Sequence, residues 1–337
     1  MQKSNLFFLF TISLILIGQH AIAANSSNKV SVTQDEFIAQ MVERHDFNTA
    51  DLTKVLKQAR KSQTILDAIS RPAEKKLTWH KYRQIFIKEK RIKQGVDFMQ
   101  KNKSKLEEAE KKYGVPPEII TAIIGVETFY GRIAGSYRVV DALNTLAFHY
   151  PKRSNFFRSE FEHFLLLARE QGFDPNSLKG SYAGAMGMPQ FISSSYRHYA
   201  IDFDNDNVID IWNNTNDAIG SVANYFAEHG WLKDKPITIK VGVEGENYKQ
   251  ALKKGLALDI TASDLPKYGI KTDSVFEENE KLKLFEYKLD KGSEYWLAHK
   301  NFYVITRYNH SNLYAMAVFQ LAREIKKRSN EKRVSSH

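Results

Sequence analysis

The sequence contains no cysteine among its 337 residues. This absence excludes a disulfide framework, a thiolate metal site, a cysteine nucleophile and a lipid anchor on an N-terminal cysteine. The chain also lacks an apolar run of the roughly 20 residues that a membrane-spanning helix needs. Because 42% of its residues are hydrophobic and 26% are charged, a folded chain is expected rather than a disordered one.

Positive charge is present in excess. The chain has 49 Lys and Arg against 39 Asp and Glu, a formal net charge of +10. Such a balance favours an acidic partner, and nucleic acid, an anionic membrane surface and an acidic polymer all fit it. The length suggests about two domains, at roughly 150 residues for each.

The first 23 residues have the pattern of a secretory signal. Lys3 precedes an apolar segment from Leu6 to Ile17, and Ala21-Ile22-Ala23 forms a small-residue cleavage site. The alternative is an uncleaved N-terminal anchor. Export makes a nucleic-acid partner unexpected, and the lack of cysteine suits a bacterial periplasm. We therefore expect a periplasmic protein with a cleaved signal peptide, no cysteine for lipid attachment and no nucleic-acid partner.

The hydrophobic pattern of the mature chain predicts a mainly helical protein with a small β-containing segment. Thr33 and Glu36 have the spacing of a capping box, and Asn48 begins a second helix. Further helices are predicted at 117–130, 155–171, 189–199, 217–229 and 311–327. Alternating or β-branched stretches predict strands at 236–243, 283–288 and 296–306.

One carboxylate falls on an apolar helix face. Ile120, Ile123, Ile124 and Glu127 stand at i, i+3, i+4 and i+7, so they share one face of a helix. Burial raises the pKa of a carboxyl group, and a protonated Glu can act as a general acid near neutral pH. The alternative is a structural ion pair with a buried arginine, for which the candidates are Arg132, Arg138 and Arg153.

A second informative segment runs from Gly180 to Phe191. It is rich in glycine and alanine, with aromatic residues between them. Glycine permits a close approach of the backbone to a ligand. The alternative is a tight loop that only packs between helices.

Four ordered stretches together resemble a known family. They are Val126 to Gly131, Ser181 to Phe191, Asp217 to Phe226 and Thr306 to Ser311. The first resembles the catalytic-Glu motif of the lytic murein transglycosylase B family, glycoside hydrolase family 103. The likeness extends from about residue 33 to residue 325, which is nearly the whole mature chain.

The resemblance implies a fold and a division into domains. The fold is a lysozyme-like helical core with a flanking helical domain and a small β-containing insertion. The expected segments are a signal peptide, an N-terminal helical domain, a catalytic core, the insertion, a return to the core and a basic tail, at 1–23, 24–110, 111–231, 232–300, 301–327 and 328–337.

The resemblance also implies the reaction. Such enzymes cleave the β-1,4 bond between N-acetylmuramic acid and N-acetylglucosamine in peptidoglycan and leave a 1,6-anhydro ring. Glu127 would act first as acid and then as base, because the muramoyl C6 hydroxyl is itself the nucleophile. Ordinary glycosidases need two carboxylates. The remaining alternatives are a hydrolytic lysozyme of the same fold and a non-catalytic peptidoglycan-binding protein.

Substrate contacts are carried over from the family residue by residue. Ser181 matches a residue near the catalytic Glu and is a candidate hydrogen-bond partner for it. Arg153 matches one of two adjacent basic residues, and the other is Lys152 here. The remaining substrate-binding candidates are Tyr82, Gln190, Tyr225, Tyr308, Asn309 and Tyr314.

An acidic loop has the start of a calcium-binding pattern. Asp202, Asp204 and Asp206 occupy its first, third and fifth positions, and the Val208 carbonyl would be a fourth ligand. Asn207 replaces the usual glycine, and the family adds Asp217 from the next helix. We expect a structural Ca²⁺ and no cofactor for catalysis; the alternative is a solvated acidic loop. Other expected partners are glycan strands, weak electrostatic contact with membrane or wall, and other cell-wall enzymes.

Overall fold

The computed structural model describes residues 32–70 and 77–334, so the signal-peptide prediction lies outside the described residues. Helices predominate in the described part. They are α1 (Gln34–His45), α2 (Thr49–Gln58), α3 (Gln63–Ser70), α4 (Trp79–Phe86), α5 (Glu89–Lys101), α6 (Lys103–Tyr113), α7 (Pro117–Thr128), α8 (Val139–His149), α9 (Ser154–Glu170), α10 (Ser193–Tyr199), α11 (Thr215–Glu228), α12 (Tyr248–Ala251), α13 (Lys300–Tyr308) and α14 (Asn312–Val334).

The first two helices begin where side chains cap them. The Thr33 hydroxyl accepts the Glu36 N–H, and the Glu36 carboxylate accepts the Thr33 N–H, which makes a complete capping box at α1. The Asn48 side chain accepts two N–H groups in the first turn of α2. Both predicted helix starts are confirmed.

The strands form two antiparallel sheets. They are β1 (Tyr137–Arg138), β2 (Lys179–Gly180), β3 (Thr238–Val243), β4 (Ile260–Thr261), β5 (Ile270–Lys271), β6 (Lys281–Lys288) and β7 (Ser293–Ala298). The pair β1–β2 is separate, and the other five strands follow the order β4-β6-β7-β3-β5. Leu284 of β6 pairs with Leu297 of β7. The predicted mainly helical fold with a small β-containing part is confirmed.

The larger sheet separates two hydrophobic cores. Successive side chains of a strand point to opposite faces. On β6, Phe285 and Tyr287 join the helical core, whereas Leu282 and Leu284 join a second core within the β-containing part. The second core is consistent with the predicted insertion being a structural unit of its own. The exact domain boundaries stay a prediction.

Three predicted elements differ from the structure. The predicted strand 296–306 is wrong beyond Ala298, because α13 follows and buries Phe302 and Ile305 at helical spacing. The helix predicted at 189–199 begins only at Ser193, since Gln190 has a left-handed φ of 54°. Helix α14 continues to Val334, well into the expected basic tail, where Ser329 is buried.

Helix α7 lies at the centre of the helical part. It packs against α5, α6, α11 and α14, and Ile120, Ile123 and Ile124 are fully buried. The last turn of this central helix therefore carries Glu127 to the edge of the core. No helix within 32–70 or 77–334 has both the length and the apolar content to cross a membrane.

Candidate active site

The end of α7 is shaped by an unusual backbone turn. Phe129 and Tyr130 both have left-handed φ angles, 54° and 62°, directly after Glu127 and Thr128. The Phe129 N–H donates to the Gly125 carbonyl and the Tyr130 N–H to the Ile124 carbonyl, both at 3.2 Å, and these bonds close the end of the helix. Consecutive left-handed residues other than glycine are strained and need support from their surroundings.

Thr128 supplies part of that support. Its hydroxyl donates to the Met188 carbonyl at 2.9 Å and accepts the Gly131 N–H at 3.0 Å. The side chain is buried. Thr128 therefore ties the end of α7 both to the turn that follows it and to the Gly-rich segment 180–191.

Tyr130 also supports the strained turn after α7. Its hydroxyl donates to the Arg91 carbonyl at 2.8 Å. A Cβ at Gly125 would come within 2.6 Å of the Tyr130 ring, and one at Gly95 within 2.5 Å of its hydroxyl oxygen. The ring thus occupies space that two glycines leave open. Tyr130 is part of the motif around Glu127 in the sequence, but its role as a support was not predicted. Its partner Arg91 lies on α5, and that contact depends on tertiary packing.

Glu127 is partly exposed, and its nearest polar partner is a tyrosine. The Tyr314 hydroxyl donates to Glu127 Oε1 at 2.5 Å. Burial raises the pKa of Glu127 to about 7, and the Tyr314 hydrogen bond opposes that rise. Within the described residues Glu127 forms no ion pair, and Arg138 instead binds Asp141. The alternative of a structural pair with an arginine is wrong.

Two further predicted tyrosines line this region from the inside. Tyr308 and Tyr225 are both largely buried, with ring centroids 4.8 Å apart. The Tyr308 hydroxyl donates to the Pro189 carbonyl at 2.6 Å, and the Tyr225 hydroxyl donates to the Arg307 carbonyl at 2.7 Å. Their hydroxyl protons are therefore engaged by the backbone. Burial raises the pKa of Tyr308, and the charge of Glu127 adds to this rise, which places the Tyr308 ring near the carboxylate.

The Gly-rich segment is a folded turn with its polar groups directed inward. The Ser181 hydroxyl accepts the N–H groups of Ala183 at 3.2 Å and Ala185 at 2.9 Å. Tyr314, and not Ser181, makes the hydrogen bond to Glu127 in this structure. Ser181 is buried and holds the turn together.

Gln190 bridges this segment to the turn after α7. Its amide nitrogen donates to the Ala134 carbonyl at 3.1 Å and the Gly187 carbonyl at 2.9 Å. Both amide protons are thereby used, and the side-chain oxygen remains an acceptor. Asn309 is buried between α13 and α14, and its carbonyl accepts the Ser311 N–H at 2.6 Å.

The last two predicted substrate-binding residues are Tyr82, which precedes Glu127 in the sequence, and Arg153, which follows it. Tyr82 of α4 is buried against Phe86. Burial and the charge of Glu127 raise the pKa of Tyr314, and Tyr82 adds a smaller contribution, so Tyr82 lies near Tyr314. Arg153 precedes α9 and stacks on Phe156 with its guanidinium 4.2 Å from the ring centroid. Arg153 is not among the groups that shift the pKa of Glu127.

The acidic loop brings three of the predicted metal ligands together. Carboxylate oxygens of Asp202, Asp204 and Asp217 lie within 4.8 Å of one another. Burial raises the pKa of Asp217 to about 6, and the charges of Asp204 and Asp202 add to this rise. Asp217 also accepts the N–H groups of Phe203 and Asp210, both at 2.8 Å. Three converging carboxylates have the donor chemistry of a hard-cation site.

One predicted carboxylate ligand is arranged differently. The Asp206 carboxylate lies outside this cluster and accepts the Val208 N–H at 2.9 Å. Val208 is exposed, and its carbonyl stays a predicted ligand. Asn207, in the place of the usual glycine, has a left-handed φ of 70°. The loop thus has the backbone turn of the predicted pattern with a smaller group of carboxylates.

Comparison with known proteins gives a consistent set of relatives. Residues 30–323 match the family model described as the transglycosylase SLT domain. The membrane-bound lytic murein transglycosylase B of Escherichia coli (strain K12) is 41% identical over 299 residues, which covers 86% of this chain and 81% of that protein. The structure of the soluble lytic transglycosylase SltB1 from Pseudomonas aeruginosa is 50% identical, with a TM-score of 0.85, and covers 88% of this chain and 99% of its own.

Two other solved structures contain ligands. The E. coli lytic transglycosylase Slt35 in complex with calcium is 40% identical with a TM-score of 0.81, over 88% of this chain and 93% of its own. SltB3 from P. aeruginosa in complex with NAG-NAM-pentapeptide is 27% identical with a TM-score of 0.78, over 87% and 78% of the two chains.

Proposed function

The chain is a peptidoglycan-cleaving lytic transglycosylase of the transglycosylase SLT domain family, and on that premise we propose that Glu127 performs its chemistry. The observation that carries this proposal is the carboxyl group at the end of α7. It is partly exposed, its pKa is raised to about 7, and its neighbours supply a tyrosine hydroxyl but no second acid among the described residues.

The first step uses Glu127 as an acid. The protonated carboxyl donates its proton to the glycosidic oxygen between N-acetylmuramic acid and N-acetylglucosamine. The bond from the muramoyl C1 to that oxygen breaks, and positive charge develops at C1. The substrate's own N-acetyl group stabilises this charge. A carboxyl group with a pKa near the working pH is well suited to such a transfer.

The second step uses the same group as a base. The Glu127 carboxylate accepts the proton of the muramoyl C6 hydroxyl while that oxygen bonds to C1. The product is a 1,6-anhydro ring, no water is consumed, and Glu127 is protonated again. One carboxyl suffices because the nucleophile is tethered to the substrate. The Tyr314 hydroxyl stabilises the carboxylate form between the two steps.

The surrounding residues position the glycan in this proposal. Gln190 has its amide protons fixed by the backbone and presents its oxygen as an acceptor for sugar hydroxyl groups. Asn309 lies next to Tyr308 and supplies a second amide. Ser181 holds the Gly-rich turn. The buried rings of Tyr82, Tyr225, Tyr308 and Tyr314 would form the wall behind Glu127. Arg153, just before α9, would contact the glycan at a separate position.

Digestion of purified sacculi tests this assignment. Mass spectrometry should find anhydromuropeptides as the products of the wild-type protein. Reducing muramic acid ends would instead indicate a hydrolytic lysozyme, and the absence of soluble products would indicate a binding protein. The lone carboxyl with a raised pKa favours the first outcome.

A structural calcium ion is the second part of the proposal. Asp202, Asp204 and Asp217 would hold it, and their oxygen ligands fit a hard cation. A calcium complex of the 40% identical Slt35 supports the choice of metal. The ion would offset the repulsion among the three carboxylates and would take no part in the reaction.

The site of action is the third part. We place the mature enzyme in the periplasm, held near its substrate by its net positive charge. A relative described as membrane-bound supports an envelope location. Cell fractionation tests this: the mature protein should leave membrane pellets on washing with high salt, and retention in the pellet would contradict it.

A further inference from the structure

Arg91, in the first turn of α5, is a partly buried cation that the proposed mechanism does not use. Burial lowers the pKa of its guanidinium, and the neighbouring Tyr130 opposes that lowering. Its Nε–H is buried with no hydrogen-bond partner among the described residues, and none of them forms an ion pair with it. Since a partly desolvated cation without an anion beside it is unfavourable, its other contacts have to offset that cost.

Those contacts join two helix ends. The centre of the guanidinium lies 5.2 Å from the ring centroid of Phe86, the last residue of α4, and 4.9 Å from that of Phe129, which follows α7. Its Nη1 also donates to the Ile85 carbonyl at 2.8 Å. An aromatic ring attracts a desolvated cation more strongly than an exposed one. Arg91 therefore fastens the end of α4 to the end of α7.

Arg91 contacts both left-handed residues of the turn after α7. Its guanidinium lies against the Phe129 ring, and its backbone carbonyl accepts the Tyr130 hydroxyl at 2.8 Å. Phe129 is half-buried and belongs to neither hydrophobic core, so core packing does not hold its ring. Because strained backbone persists only where its surroundings hold it, these two contacts help to maintain the turn.

This turn sets the position of Glu127 relative to its hydrogen-bond donor. The last turn of α7 carries Glu127, whose Oε1 accepts the Tyr314 hydroxyl at 2.5 Å. The guanidinium also reaches the tyrosine side of the site, because Phe86 packs on Tyr82 with ring centroids 5.3 Å apart, and Tyr82 lies near Tyr314. Arg91 thus joins the turn beside Glu127 to the helix that carries Tyr82.

We propose that Arg91 is a positioning residue, whose guanidinium and carbonyl hold the turn after α7 in the geometry that directs Glu127 towards the Tyr314 hydroxyl and the glycan. The inference rests on the proposed function, because it takes Glu127 as the acid and base of the reaction. Arg91 acts through the shape of the turn and not through its charge, since it is not among the groups that shift the pKa of Glu127.

Kinetics of two substitutions on peptidoglycan test this role. Arg91→Met keeps a long unbranched side chain and removes the guanidinium. It should lower kcat by about 10²-fold and leave KM nearly unchanged, because a misplaced reacting group slows the chemical step without weakening the binding of the glycan. Arg91→Lys keeps the cation but not the flat guanidinium, and should lower kcat by a smaller factor.

The matched control is Arg169→Met on α9. The Arg169 guanidinium lies 4.0 Å from the Phe47 ring centroid, and its Nη1 donates to the His45 carbonyl at 2.7 Å. Both substitutions to Met remove the same kinds of contact, so some loss of stability is expected from both. Only Arg91→Met should lower kcat per folded molecule. An unchanged kcat in folded Arg91→Met, or an equal loss in Arg169→Met, would overturn the proposal.

Titration of Glu127 separates this inference from the catalytic assignment, because it needs no turnover. In Arg91→Met the released turn should expose the carboxyl, so the midpoint followed by carbon NMR should fall from about 7 towards 4.5. Tyr308 and Tyr314 stay neutral in this range because burial raises their pKa values. Loss of a charge that acted on Glu127 directly would instead raise the midpoint.

An unchanged or higher midpoint in Arg91→Met therefore contradicts the positioning role. If Arg91→Met does not fold, Arg91→Lys decides by the same titration, with a smaller downward shift expected. Failure of the catalytic role of Glu127 would appear only as residual turnover of Glu127→Gln.

Discussion

The end of α7 and the carboxylate cluster beside the acidic loop each contain a carboxyl group with a raised pKa, and the causes of the two shifts differ. At the end of α7, Glu127 has no acidic neighbour among the described residues, and burial alone raises its pKa to about 7. In the carboxylate cluster, the pKa of Asp217 on α11 rises to about 6 through burial and through the charges of Asp204 and Asp202 in the acidic loop. A lone, half-buried carboxyl keeps a proton that it can transfer. Clustered carboxylates instead provide the oxygen ligands of a cation site.

The largest expected effect concerns the lone carboxyl. Glu127→Gln should lower the release of anhydromuropeptides from sacculi by about 10³-fold or more, because both proton transfers are lost. Mass spectrometry of the digest gives the rate. Glu118→Gln on the same helix is the control, since it only breaks an ion pair with the exposed Lys326. Activity of more than about a tenth in Glu127→Gln would end the assignment.

The clustered carboxylates should respond to calcium. At about 100 times its Kd, calcium should stabilise the protein by about 2.7 kcal/mol and raise the melting temperature by several degrees. Asp204→Asn should abolish this effect, whereas Asp206→Asn should largely keep it because Asp206 lies outside the cluster. A melting temperature that neither EDTA nor calcium changes would contradict the site.

The lone carboxyl should also lower stability at high pH. Since the pKa of Glu127 rises from 4.5 to about 7 on folding, the folded state binds this proton more tightly, and stability falls as pH rises between those values. Glu127→Gln has no such loss, so above pH 7 it should be more stable than wild type by about 2 kcal/mol, allowing for partial exposure. Urea unfolding at pH 4 and pH 8 checks this, and an equal difference at both would contradict it.

The smallest effect concerns the tyrosine partner. The hydrogen bond from Tyr314 lowers the pKa of Glu127, so Tyr314→Phe should raise it. The alkaline limb of the activity profile should move upward by about one pH unit. Tyr303→Phe, on the outer face of α13, is a control that should leave the limb in place. A downward movement in Tyr314→Phe would be inconsistent with the hydrogen bond.

Local patterns explain which features the sequence could predict. The spacing of Ile120, Ile123 and Ile124 placed Glu127 on the correct helix face, and Thr33 with Glu36 marked a helix start. Both depend on residues within two turns of each other. The resemblance to a family placed Tyr314 near the site, and the sequence alone offered no reason for it.

Contacts between residues far apart in the sequence explain which features the sequence could not predict. Tyr314 is 187 residues from its partner Glu127 along the chain, and Tyr130 is 39 residues from Arg91. These contacts arise where α14 and α5 pack on α7, which no local period encodes. The segment 296–306 misled because its aromatic and β-branched residues favour a strand, while the packing of Phe302 and Ile305 on the core selects a helix.

The most direct measurement is the titration of the Glu127 carboxyl itself. Carbon NMR of protein labelled at glutamate carboxyls, compared between wild type and Glu127→Gln, identifies its resonance and follows it with pH. We predict one carboxyl with a titration midpoint near 7 that is missing from the variant. A midpoint near 4.5 for Glu127 would contradict a proton held ready for transfer at the end of α7.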